Sequence, residues 1–374
     1  MVNVNIIMSV YNGEKYLATQ IDSILGSTIN NWKLFIVDDG SSDSTFKIAS
    51  DYSEKHKHKI YAFKNASNMG STKSFLYNLC RVSDKNVKNE KLNIVNRYKK
   101  KVTKKFSKKL VNAAISLKKT ALDLYRRPKF RQQKGKCFEY YMFADQDDFW
   151  LMDKVALTLK KMRKTENRHG KHKPVMVFTD AIIADDNLKF VDKSFFEVNH
   201  MKPKKKNFAH LLMENKCPGC TVMVNQAACD LLRRTYPAFD GNEKYAAAYD
   251  SVRYHDWWMA LICSAFGCVK YLDVPTIMYR QHASNQVGQT SFSEYVKERF
   301  SEIKNVGRRL DDTFKQAKSF RECYGADLKK KKLAMLEKFA GLNTATPLKR
   351  RYYIIRYGFF KSGFIRNAAL LLYI

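Results

Sequence analysis

Residues 33–45 read KLFIVDDGSSDST. An uninterrupted apolar run, Leu34 to Val37, ends in two aspartates and a glycine, and hydroxyl residues follow where a helix would begin. Unbroken rather than alternating apolar runs mark strands covered by helices on both faces. Gly40 suits the turn, and Ser41 or Ser42 caps the next helix. Ligands of open α/β sheets bind at the carboxyl ends of strands. Asp38 and Asp39 therefore stand where a base or ribose would be met, although a plain Asp-Gly turn and a capped helix explain Gly40 and the serines equally well.

Working outward, VNIIMSV (4–10) and KIYAF (59–63) have the same character, and helical patterns run from about Glu14 to Leu25, after GSSDST, and after Gly70. The order is β-α-β-α-β-α, which predicts a parallel sheet in an α/β fold. The rhythm breaks at Arg81 and resumes at EYYMFADQDD (139–148), followed by a helix from about Met152 to Met162 and the strand PVMVFTDA (174–181).

The intervening stretch is different in kind. Between positions 85 and 136 there are 19 lysines and arginines against two acidic residues, about half of the chain's net +32. Val102, Phe106, Leu110, Ala113 or Ala114, Leu117 and Leu122 recur there at spacings of mostly three or four, as in a basic amphipathic helix. Such a helix suits an anionic membrane surface, or packs as a solvated helical hairpin on the main domain. The C-terminal RRYYIIRYGFFKSGFIRNAALLLYI (350–374) interleaves rings and cations in a way that favours a membrane interface over a buried helix pair. No apolar run approaches the roughly 20 residues needed to span a bilayer. The N-terminus has no signal-peptide pattern.

The eight cysteines include one CxxC, Cys217 and Cys220, without the second pair a zinc site needs. Reduced, buried thiols in a reducing, cytosolic compartment are the expectation.

Two acidic groups carry candidate chemistry. Residues two apart on a strand share a side, so Asp145 and Asp147 of DQDD are expected to project together and to need a hard cation, Mg²⁺ or Mn²⁺. The alternative is an acidic helix start, since Asp147, Asp148 and Asp153 precede or begin a helix. Neither GxGxxG after the first strand nor GxxxxGK[ST] occurs, which leaves phosphate binding to a metal. In YHDWWMALICSAFG (254–267), spacing alone makes Asp256 a helix cap and Trp257 and Trp258 core residues.

The ordered set IIMSVYNGEKYLATQIDSIL, LFIVDDGSSDST, NMGSTKSF, DQDDFW, GCTVMVN, HDWWMAL and YRQHASNQVG resembles the family 2 glycosyltransferases, inverting nucleotide-sugar transferases with the GT-A fold. Within them it most resembles the bacterial rhamnosyltransferase-like branch that builds cell-wall and capsular polysaccharides. The resemblance spans about residues 1–81 and 137–290, with a weaker echo at YGFFKSGFIRNAALLL (357–372), and departs from the family at the long basic block 82–136.

It implies nucleotide contacts from Ser9, Tyr11 and Asp39 with Asp38 beside them, and from Lys73. It makes Asp145 and Asp147 the DxD pair, with Asp147 the preferred direct metal ligand. His282 reaches the metal or diphosphate, or is a surface histidine. Asp256 becomes the catalytic base, ionised at neutral pH with an ordinary carboxyl pKa near about 4.

The implied architecture is a GT-A catalytic domain over 1–290, with a nucleotide-sugar part at 1–81 and 137–225 and an acceptor part at 226–290. A basic helical insertion at 82–136 and a helical, membrane-associating region at 291–374 complete it. The implied activity is transfer from a nucleotide-diphosphate sugar, dTDP-rhamnose or a UDP-sugar, to a glycan or lipid-linked glycan acceptor at the inner face of the cell membrane. Two rivals remain: a nucleic-acid or anionic-surface binder using the +32 charge, and a non-catalytic carbohydrate-binding protein of the same fold. The acidic strand ends would repel a phosphate backbone, so no nucleic acid is expected.

Overall fold

Ile6, Ile7 and Met8 are consecutive and all fully buried, the burial expected of a strand sandwiched between helical layers. They belong to β1 (Val2–Val10), the centre of a parallel half-sheet with β2 (Trp32–Asp38), β3 (Ile60–Lys64) and β4 (Phe138–Ala144), in the order β3-β2-β1-β4. The computed structural model describes residues 2–84, 138–238, 242–282 and 303–373. The basic helix expected within 82–136 and the stretch 283–302 lie, apart from positions 82–84, outside the described residues.

Three helices connect the parallel strands: α1 (Leu17–Leu25), α2 (Thr45–Lys55) and α3 (Ser71–Ser83). α1 buries Leu17, Ile21 and Ile24, one face at helical spacing, and stops at Gly26. It starts three residues later than the sequence pattern implies, after a turn over residues 14–16 in which Tyr16 and Leu17 N–H both donate to Gly13 O.

Beyond β4 the sheet becomes mixed. The short β5 (Phe149–Trp150) precedes α4 (Lys154–His169), which runs past the expected Met162 to Gly170, whose φ of +91° ends it. There follow β6 (Val175–Ala184), β7 (Phe190–Asp192), α5 (Phe195–Val198), α6 (Phe208–Met213), β8 (Met223–Asn225), α7 (Gln226–Arg233), α8 (Ala246–Asp250), α9 (His255–Phe266) and β9 (Cys268–Arg280). The path continues β4-β8-β6-β9-β5; β8 is antiparallel to both neighbours, while β6 and β9 are parallel.

Register decides where the site lies. Val10 pairs with Asp38, Asp38 with Lys64, and Met8 with Ala144, so β1, β2 and β4 finish on one edge and release Tyr11, Asp39 and Asp145 side by side.

Four C-terminal helices follow, α10 (Ile303–Tyr324), α11 (Lys330–Ala340), α12 (Pro347–Tyr357) and α13 (Phe364–Tyr373), and the first two of them pack on α9. Phe320 meets Trp258 edge to face at 5.2 Å, and Trp257 and Trp258 are both core, as their spacing suggested. The expected interfacial C-terminus is divided in two. Ile354, Phe359 and Leu370 pack inward, whereas Leu348, Tyr352, Ile355, Phe364 and Leu372 are exposed. No helix among the described residues is long and apolar enough to cross a membrane.

Candidate active site

The loops leaving β1, β2 and β4 are laced together before any ligand is considered. Tyr11 N–H donates to Gln146 Oε1 (2.8 Å) and Gln146 Nε2 donates to Tyr11 O (3.0 Å), so one side-chain amide imitates a strand partner. Gly13 makes room for it: a Cβ there would lie 2.3 Å from Gln146 Oε1. Asn12 N–H donates to Ser41 Oγ, and Ser42 N–H returns a bond to Asn12 Oδ1. Asp39 Oδ1 accepts from Asn65 Nδ2 (2.7 Å) and Met69 N–H (3.2 Å), and Ser9 Oγ donates to Ser74 Oγ (2.7 Å).

These loops floor a cleft of about 770 Å³, within the range of small-ligand sites. Of the residues expected from sequence, Ser9, Tyr11, Asp39, Asp145, Asp147, Asp256 and His282 all line it. Tyr11, half exposed, offers a ring face at its mouth.

Two expected residues stand elsewhere. Asp38 is fully buried beneath the turn, accepts from Ser41 N–H (3.3 Å) and leaves Oδ2 unpartnered. Lys73 reaches across to Asp250 at 2.7 Å and does not line the cleft. The strand argument for Asp145 and Asp147 does not apply as stated, because β4 ends at Ala144 and both residues sit in the following turn.

The acidic floor holds three carboxyl groups at different depths. Oxygens of Asp145 and Asp148 and the Cys220 sulfur lie within 4.8 Å of one another. Asp148 Oδ2 is buried with no hydrogen-bond partner. Burial, then the charges of Asp147 and Asp256, push Asp145 up to about 7, and burial raises Asp148 well above the carboxylate range. Lys154, fully buried over the Trp150 ring at 4.7 Å, is lowered to about 8 by burial. Asp147 is shallower, and its Oδ2 lies 2.9 Å from His282 Nε2. The orphaned Asp148 Oδ2 beside Asp145 fits a cation, and of the three grouped donors the two carboxylate oxygens suit Mg²⁺ or Mn²⁺ while the Cys220 sulfur does not.

The strand-end Arg280 ties this floor to the opposite loop. Its Nε donates to Asp147 O (2.6 Å), its NH1 donates to Asp186 O, and its guanidinium lies 4.7 Å from the Tyr16 ring. Tyr16 in turn stacks on His282 at 4.8 Å.

Across the cleft, α9 places Asp256 in its first turn. Asp256 is buried, and Oδ1 accepts from Asn215 Nδ2 (3.0 Å) and Trp257 N–H (2.6 Å). Burial raises it to about 6, with the Asn215 bond opposing the rise, so the ordinary value expected from sequence is corrected upward. Its neighbour His255 is sandwiched against Phe75 at 4.0 Å and lowered to about 3 by burial, hence neutral.

Sequence reasoning singled out neither Gln146, Asn215 nor Arg280. Gln146 and Arg280 each had a signal, their places inside the quoted DQDDFW and YRQHASNQVG motifs, whereas Asn215 had none.

Residues 5–79 match the model of the family described as Glycosyl transferase family 2. The dTDP-rhamnosyl transferase RfbG of Shigella flexneri is 22% identical over 307 residues, 82% of this chain and 82% of RfbG. EpsE of Bacillus subtilis is 40% identical over 65 residues, 17% of this chain and only 23% of EpsE. The crystal structure of S. aureus TarS 1-349 with UDP aligns over 94% of this chain and 78% of that one at 13% identity and a TM-score of 0.44, a likeness on which nothing further rests. The matched segment, β1 to α3 on the N-terminal side of the α/β sheet, identifies residues 5–79 as a family 2 glycosyltransferase segment.

Proposed function

We propose that the protein moves a sugar from a nucleotide-diphosphate donor to a hydroxyl of a cell-wall, capsular or lipid-linked glycan, with inversion at the anomeric carbon and with Asp256 as base. The observation that carries this is the gathering of Ser9, Tyr11, Asp39, Asp145, Asp147, Asp256 and His282 around one cleft, from positions spread over most of the described chain. The name of RfbG, matched along 82% of both chains, supports dTDP-rhamnose as the first donor to try, with UDP-sugars next.

In this reading Tyr11 and Asp39 receive the nucleoside, the ring stacking and the carboxylate accepting hydrogen bonds, with Ser9 lining the same wall. Asp145 and Asp147 hold a divalent cation, Mg²⁺ or Mn²⁺, with His282 beside Asp147. Bound there, the cation supplies neutralisation of the diphosphate as it leaves.

Asp256 stands close enough to the acidic floor for its charge to raise Asp145. With its carboxyl raised only to about 6, it is ionised at neutral pH and accepts the proton of the acceptor hydroxyl. The hydroxyl oxygen bonds to the anomeric carbon from the face opposite the departing diphosphate, so the configuration inverts. Neutral His255 and the rings of Tyr254, Phe195 and Tyr279 complete an apolar wall suited to a sugar face.

The test is turnover of a nucleotide-sugar panel with and without Mg²⁺ or Mn²⁺. Metal-stimulated release of nucleoside diphosphate from at least one donor is expected. Nucleotide binding without turnover of any donor would favour the carbohydrate-binding alternative.

A further inference from the structure

We propose that Asn215 is the positioning residue for Asp256, and that Asn215 is itself held by a clamp from the C-terminal segment, in which Ser362 and Arg366 grip the adjoining Glu214. The proposal rests on the reading of Asp256 as the base.

Asn215 offers Asp256 one end of its amide only. Its Oδ1 already accepts Cys217 N–H at 3.0 Å, which turns Nδ2 toward Asp256 Oδ1, also at 3.0 Å. With Trp257 N–H on the same oxygen, the carboxylate is gripped by directional donors rather than by general polarity. The ionisable groups near it, Asp145 on the floor, the Cys217 thiol and the imidazole of His255, kept neutral by burial, bear no positive charge, so hydrogen bonds rather than an ion pair orient it.

Asn215 sits in the irregular segment after α6, which by itself has no reason to be rigid. Both its chain neighbours are anchored to a residue far along the sequence. Glu214 Oε2 accepts from Ser362 N–H (2.8 Å) and Ser362 Oγ (2.6 Å), and its Oε1 accepts from Arg366 NH1 (3.0 Å). Lys216, whose side chain is fully buried, donates from Nζ to Ser362 Oγ (3.1 Å) and lies 3.3 Å from Glu214 Oε2.

Ser362 thus binds the residues on either side of Asn215. The same C-terminal residues steady the next stretch of cleft wall: Lys202 N–H donates to Ser362 Oγ (3.0 Å) and Arg366 NH2 to Asn199 O (3.3 Å), flanking Met201, which lines the cleft. Residues of the α12–α13 connection and of α13 are therefore supporting parts of the active site. An error of about 1 Å at a reacting group costs on the order of a hundredfold in rate, which is the reason to hold a base this way.

The experiment follows the Asp256 carboxyl by ¹³C NMR in full-length protein labelled at aspartate Cγ, its signal assigned by its loss in Asp256→Asn. Removing a donor disfavours the ionised form, so Asn215→Ala is expected to raise the titration midpoint by about one pH unit, and Asn215→Ser, which keeps a smaller donor, by less. Ser362→Ala changes no charge, yet it should raise the midpoint in the same direction through displacement of Asn215. Ser362→Thr, which keeps the hydroxyl, should restore it. Urea unfolding of each variant checks that the fold is retained. A midpoint unmoved in both Asn215 variants overturns the positioning, and one unmoved in Ser362→Ala overturns the clamp. The base assignment fails separately, through full donor turnover by Asp256→Asn.

Discussion

His282 Nε2 lies 2.9 Å from Asp147 Oδ2, joining the loop after β9 to the turn after β4 across 135 positions of sequence. The imidazole is held from behind by its stack on Tyr16, so the pair is braced before any cation arrives. Asp147→Ala is expected to abolish Mg²⁺- or Mn²⁺-stimulated turnover with the protein still folded. His282→Ala should instead raise the metal concentration for half-activation about 10- to 100-fold. Metal titrations of donor turnover distinguish the two, and a wild-type metal curve in Asp147→Ala would remove Asp147 from the site.

Asp256 sets the expected pH dependence. A base must be ionised, so with its carboxyl raised to about 6, kcat/KM should be level above that value and fall about tenfold per pH unit below it. Asp256→Asn should lose about a hundred- to ten-thousand-fold in kcat. A raised carboxyl pKa means folding favours the protonated form, so the stability this group contributes is lost as pH rises through about 6. Asp256→Asn should therefore be at least as resistant to urea as the native protein at pH 8. Lost activity together with lost stability at that pH would point to a structural role.

The Gln146 clasp on Tyr11 makes Gly13 sensitive. Gly13→Ala brings a methyl group against Gln146 Oε1 and is expected to destabilise by about 1–3 kcal/mol while raising KM for the donor. Gln146→Ala removes both the clasp and the obstacle, so the double variant should cost less than the two single changes added. Urea melts of the four proteins give the coupling, and strict additivity would show that the two residues do not meet.

Leu348, Tyr352 and Ile355 are spaced by four and three along α12 and are all exposed, with Lys349 and Arg356 close by in the chain. An apolar stripe beside cations suits the surface of an anionic bilayer. The protein is expected to sediment with vesicles rich in phosphatidylglycerol and not with phosphatidylcholine alone. Changing the three residues to serine should cut binding by about tenfold or more. Equal sedimentation of the triple variant would place the contact elsewhere.

The half-sheet was legible because burial on both faces leaves a mark on composition: Ile6–Met8 and Leu34–Val37 admit no polar residue, so strand type and layer follow directly. The placement of Asp39, Asp145 and Asp147 along the cleft was legible because carboxylates that follow apolar runs fall at the carboxyl edge of a parallel sheet. Lys73 was assigned from the motif around it, and its engagement with Asp250 comes from a segment 177 positions away that no local pattern announces.

The linear chain thus determined the alternation of strands and helices and the edge on which the acids gather, because periodicity and turn chemistry act over a few residues. Only the tertiary structure decided which acid is orphaned, which is paired with His282 and which is held by Asn215. Those outcomes depend on burial and on hydrogen bonds between residues 41 to 148 positions apart, and local sequence does not encode their distances.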